Sequence, residues 1–137
     1  MRRNRRAVTR ATAVAAVLAG APSVIHAART GGPAAAVRYG LAATRAAGTL
    51  VPPGRPSLTR GLLAHGVISM LAGEILARTL PRRHPVAWGA LAGLAMGAIN
   101  VGLIGRAFPA IRDLPLGPQL ADNAAFGAVF AVVVDRR

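Results

Sequence analysis

Only four acidic residues stand in a chain of 137 residues and formal charge +13, and one of them, Glu74, sits inside the apolar run HGVISMLAGEILAR at residues 65–78. A carboxylate among Ile, Leu and Ala has two uses. It can pair with Arg78, one helical turn further on, in the acid-before-base order that favours an i,i+4 pair. It can instead accept a proton or cation, because ionisable groups inside a membrane often mark transport paths. A second polar grouping is His65 with Asn100, Asp122 and Asn123. Neutral imidazole and carboxylate are both ligands, so this set is equipped to relay protons or hold an ion. The same residues also suit interhelical hydrogen bonds and a carboxylate near a positive helix end.

Nothing further in the sequence spells out a reaction. There is no HExxH, no P-loop and no glycine-rich dinucleotide loop. With no cysteine, disulfides and thiolate metal sites are excluded. Ser69 has no nucleophile partner at a diagnostic spacing. The chain is therefore not read as an enzyme, and neither a cofactor nor a metal is expected.

The elements that carry these residues are legible from charge placement. All seventeen basic residues are arginine, and they flank apolar blocks instead of forming one stripe. Membrane proteins place charge in this way, so a specific nucleic-acid partner is not expected, although guanidinium forks match phosphates. An all-α integral membrane bundle of four transmembrane helices follows, over residues 7–28, 58–80, 86–105 and 118–134, as a single domain.

The first block lies behind the basic start MRRNRR and is interrupted by Arg10 and Pro22. It is read as an uncleaved helix, since a signal-peptide cut near SVIHAA would need a small residue where Ile25 or His26 stands. Pro56 and the N-cap candidate Ser57 introduce the second block, and Pro81 stops it. The third is uncharged and contains Asn100. The uncharged run 124–134 covers only about 16 Å at 1.5 Å per residue, so the fourth helix must begin near Pro118, which draws Asp122 and Asn123 inside it. Residues 33–51 form an amphipathic interfacial segment between helices 1 and 2, with Arg38 and Arg45 on one face. The alternative, a fifth crossing, would put two arginines near its middle.

If the helices alternate in direction, His65, Asn100, Asp122 and Asn123 share one leaflet. His26 faces the same side nearer the surface. Glu74 lies in the other leaflet, about 7 Å from the midplane. Counting arginines in the loops gives ten on the side of the N-terminus and seven opposite, which puts the N-terminus in the cytoplasm of a bacterial inner membrane. The lipid bilayer is the expected partner. Gly89, Gly93 and Gly97 recur at four-residue spacing, echoed by Gly127 with Ala131, and such faces let two helices approach closely. They would serve a homo-oligomer, a larger membrane complex or packing within the chain equally well.

The stretch AWGALAGLAMGAINVGLIGRAFPAIRDLPLGPQLADNAAFGAVFAVVV resembles the C-terminal half of small multi-pass bacterial membrane proteins of unknown function, the YagU-like type. The likeness lies in a glycine-rich helix, a Phe/Pro/Leu-rich loop and a last helix opening with a polar residue before an aromatic-Gly step, here Asp122 to Gly127. A histidine commonly stands in that family where this chain has Asn123. The resemblance implies a membrane location and no activity.

On this reading the chain is a structural or accessory membrane component. The alternative is a minimal proton- or cation-coupled transporter working through Glu74 or the His65/Asp122 cluster. A third use, of the N-terminal arginines on anionic lipid or nucleic acid, adds a role to a segment that already serves as a topology signal.

Overall fold

A computed structural model of the chain describes residues 3–135, so Arg2, Arg136 and Arg137 of the arginine count lie outside it. The described residues form helices α1 (Arg5–Leu18), α2 (Ala21–Ala47), α3 (Leu58–Thr79), α4 (Pro85–Ile99), α5 (Gly105–Ala107), α6 (Pro109–Arg112) and α7 (Leu116–Val134), with no strand among them. A 3-10 turn, Gly48–Leu50, follows α2, and a π-helical turn, Asn100–Ile104, joins α4 to α5. Four helical spans are long and apolar enough to cross a membrane: Arg5–Leu50, Leu58–Thr79, Pro85–Ala107 and Leu116–Val134.

The helix ends follow local chemistry. Asn4 accepts a hydrogen bond from the Arg6 backbone N–H at 2.9 Å and starts α1, and Ser57 does the same for α3 through Arg60. Pro85 opens α4, where its missing N–H costs nothing. Pro118 falls in the first turn of α7.

The first span differs from the expected single helix over 7–28. It breaks after Leu18, and a new helix begins at Ala21. Pro22 cannot donate to the carbonyl of Leu18, so the ladder of α1 stops there. The new helix then runs on through the 33–51 region, reversing at Gly32, whose φ of 77° and ψ of 178° are non-helical. Two rules meet at that residue: the position before Pro33 is disfavoured in α geometry, and only glycine takes a positive φ freely. The two arms of α2 thus fold back on each other, which sets Tyr39 against the side chain of Ser23. In the second arm Ala36, Gly40, Ala43, Thr44 and Ala47 point inward at helical spacing, while Val37 and Arg38 are exposed.

Helix α7 is central, packing against α1, α2, α3 and α4, whereas α3 and α4 hardly touch each other. The core at one end gathers Ala11 and Ala15 of α1, Leu76 of α3 and Phe126 and Phe130 of α7. Glycines set the closest approaches. A methyl group on Gly89 would overlap the carbonyl oxygen of Gly127, one on Gly93 that of Asn123, and one on Gly127 that of Gly89. Gly97 completes the face, its Cβ position only 3.1 Å from the Leu120 side chain. The glycine stripe is therefore spent on packing α4 against α7 of the same chain. At the α1–α3 crossing Gly73 lies against Thr12, and Gly61 of α3 lies against the Thr44 carbonyl of α2.

Arg3 joins the ends of three helices. Its side chain is only 10% exposed. Its Nε donates to Asp135 Oδ1 at 3.1 Å, and its Nη1 donates to the carbonyls of Ala77 and Leu80 at 3.2 and 3.1 Å. These are carbonyls at the C-terminus of α3, which lack partners of their own. At this basic end of the bundle α1 and α4 begin and α3 and α7 finish.

Candidate functional site: a polar chamber at a helix break

The other end of the bundle encloses a chamber of about 490 Å³, bounded by α1, α2, α3 and α7 and by α4 with its π-helical turn. Its walls are mostly Ala, Val, Ile and Leu. Set into them are Ser23, Tyr39, His65, Asn100, Asp122 and Asn123. The structure thus brings His65, Asn100, Asp122 and Asn123 around one space, as their positions along alternating helices implied. His26 is exposed and lies outside the chamber wall.

The break between α1 and α2 forms part of the chamber wall, through Ala19, Gly20 and Ser23. Ending one helix and starting another inside a bundle leaves carbonyls and N–H groups without intrahelical partners. Two side chains from opposite walls meet that need. His65 Nε2 lies 3.0 Å from the carbonyl of Ala16 near the end of α1 and, as the protonated nitrogen of the ring, donates to it. Asp122 Oδ1 accepts the backbone N–H of Ser23, in the first turn of α2, at 2.9 Å. A carboxylate at a helix N-terminus also gains from the helix dipole. Ser23 itself is buried, and its hydroxyl donates to the Gly20 carbonyl at 3.1 Å.

The amides form a second strip of wall. Asn123 Nδ2 donates to the carbonyl of Gln119 at 2.9 Å and its Oδ1 faces Asn100 Nδ2 at 3.5 Å. Asn100 opens the π-helical turn, the kind of local unwinding that recurs at functional sites. Beside them Gln119 Nε2 is buried with no hydrogen-bond partner among the described residues. A buried donor left unmade costs about 1–3 kcal/mol.

Charge singles out one residue. In a chain of formal charge +13, no arginine lines the chamber, and Asp122 carries the one carboxylate on its wall among the described residues. The exposed part of its lining is mostly apolar: Val17 of α1 (80% exposed), Leu62 and Ile75 of α3 (65% and 56%) and Ile99 of α4 (54%), with His65 the exposed polar group among them.

Glu74 takes no part. It points outward from α3, half exposed, and its Oε2 accepts from Arg78 Nη2 at 3.1 Å. Ser23, Tyr39 and Gln119 were not singled out from the sequence. The signals for the first two were Pro22, which breaks the helix, and Gly32-Pro33, which folds α2 back. Among the described residues no group of three or more His, Cys, Asp or Glu is placed to hold a metal ion.

No protein-family model, curated protein or solved structure matches this chain.

Proposed function

We propose that the protein is a small multi-pass membrane protein that binds, and moves between bilayer and chamber, an apolar-bodied organic cation, with Asp122 as the group that accepts its charge. The observation that carries this reading is the carboxylate of Asp122, the one acidic group among the described residues lining a largely apolar chamber that no described arginine lines, beside a broken helix. Discontinuous helices supply backbone groups and dipole ends for substrate inside a membrane, and a single carboxylate in low dielectric selects strongly for positive charge. The exposed apolar lining residues Val17, Leu62, Ile75 and Ile99 meet acyl chains when the four spans cross a bilayer, so a ligand dissolved in the membrane enters from the side. The arginine count puts the basic end, with the N-terminus, on the cytoplasmic face of a bacterial inner membrane.

A sign test separates the reading from a purely structural one. Tetraphenylphosphonium and tetraphenylborate have nearly the same shape and opposite charge. Equilibrium dialysis of the purified chain in neutral detergent, corrected for empty micelles, is expected to show retention of the phosphonium alone. Asp122→Asn, which keeps an oxygen for the Ser23 N–H, is expected to abolish it. Equal retention of the two ions, or phosphonium binding that survives Asp122→Asn, would leave the accessory-component reading in its place.

A further inference from the structure

A second cavity, of about 430 Å³, lies at the basic end, far from Asp122, in the cleft between the C-terminus of α3 and the start of α4. Its floor is Leu76 and Leu80, 1% and 7% exposed, and its outer walls are Trp88 and Leu91, each about half exposed. The one hydroxyl on its lining, that of Thr79, is spent on the Ile75 carbonyl at 2.8 Å. The groove is therefore dry in character and shaped for hydrocarbon. The loop that closes it, Pro81 to His84, exposes Arg82 and Arg83, and neither has an ion-pair partner among the described residues. Nearby guanidinium groups are already engaged, that of Arg3 by Asp135 and that of Arg78 by Glu74.

We infer that this groove is a binding site for one anionic phospholipid, an acyl chain lying between Leu76, Leu80, Trp88 and Leu91 and the headgroup phosphate paired with Arg82 and Arg83. An apolar slot lined as far as Pro81, with the next two residues exposed arginines that have no ion-pair partner among the described residues, is complementary to a molecule that is hydrocarbon at one end and negative at the other. Basic pockets between transmembrane helices hold anionic headgroups on this principle. Guanidinium is the suitable cation, since its planar fork meets two phosphate oxygens at once. Trp88 fits the same picture, because indole rings settle at the level of the headgroups. The inference rests on the chain spanning a bilayer and is independent of the chamber and its ligand.

Trp88 is the only tryptophan in the chain and lines the groove, so its fluorescence reports the occupant directly. The full chain is reconstituted in phosphatidylcholine bilayers doped with brominated phosphatidylglycerol or brominated phosphatidylcholine at the same mole fraction. Phosphatidylglycerol is expected to quench Trp88 the more strongly. Arg82→Gln and Arg83→Gln should each lower its apparent affinity by roughly five-fold, and together should make the two lipids equal. Both arginines are exposed, so helicity by circular dichroism should stay unchanged. Equal quenching by the two lipids in the native chain overturns the site alone, as does a phosphatidylglycerol preference that survives the double substitution. Quenching by neither overturns the membrane-spanning reading and the site with it.

Discussion

Asp122 and Ser23, 99 positions apart, are joined by a 2.9 Å hydrogen bond from the backbone N–H of Ser23 to the carboxylate of Asp122. The bond does two things at once. It closes the open start of α2, and it holds the chamber's one carboxylate at the wall. These roles respond differently to substitution. Asp122→Ala leaves a buried N–H without a partner and is expected to cost about 1–3 kcal/mol. Asp122→Asn keeps an acceptor and should cost well under half as much, while removing the charge. Thermal unfolding in detergent, followed by circular dichroism, reads the first effect, and phosphonium retention reads the second. Equal loss of stability in both variants would mean that the charge, and not the hydrogen bond, closes the helix.

Gly93 tests the packing of α4. That helix rests chiefly on α7, and a methyl at Gly93 would overlap the backbone carbonyl of Asn123, which cannot move without disturbing its own helix. Gly93→Ala is expected to destabilise the bundle by about 1–3 kcal/mol, the usual scale for overpacking. Gly66 provides the control. It is exposed on α3 with nothing within 4 Å of a Cβ, so Gly66→Ala should be neutral or mildly stabilising. Unfolding temperatures of the two variants, measured side by side, check the contrast.

The all-helical class with four spans long and apolar enough to cross a membrane, and the grouping of His65, Asn100, Asp122 and Asn123 around one space, were legible because apolar run length gives the spans and a constant rise per residue turns position along alternating helices into depth. The broken first span was not. Pro22 is compatible with a kinked helix as well as with two separate ones, and hydropathy does not distinguish them. Tyr39 and Ser23 meet only because Gly32 reverses the chain, a contact that no periodicity within either arm encodes. Arg3 was counted solely as a topology charge. Its role as a clamp depends on carbonyls 74 and 77 positions away, which only the packed bundle brings near.

Arg3 accordingly separates structural from topological charge. Arg3→Gln removes the ion pair to Asp135 and weakens the capping of Ala77 and Leu80, and is expected to cost about 1–3 kcal/mol. Asp135→Asn should cost less, because the carbonyl contacts of Arg3 remain. In the double variant the losses should fall short of additive, since both changes remove the same pair. Arg82→Gln, at an exposed side chain without an ion-pair partner among the described residues, should leave the unfolding temperature within error. A double-mutant cycle on thermal unfolding measures all of these, and strict additivity would show that the pair is not formed in the bilayer or micelle.

Glu74 invites the transporter reading from sequence, and its geometry argues for a modest role instead. It lies on the outer face of α3, and its partner Arg78 is 77% exposed at the side chain. An exposed i,i+4 pair is worth about 0.3–0.5 kcal/mol. Glu74→Gln should therefore shift stability by no more than that, and it should leave phosphonium retention at the native level because Glu74 is absent from the chamber wall. The decisive comparison is Glu74→Gln against Asp122→Asn under identical dialysis. Both remove one negative charge from the same bundle, so a general field effect would weaken cation binding in both. A local site loses binding in Asp122→Asn alone. Loss of binding in Glu74→Gln would transfer the coupling role to the outer face of α3 and require a second chain to cover it.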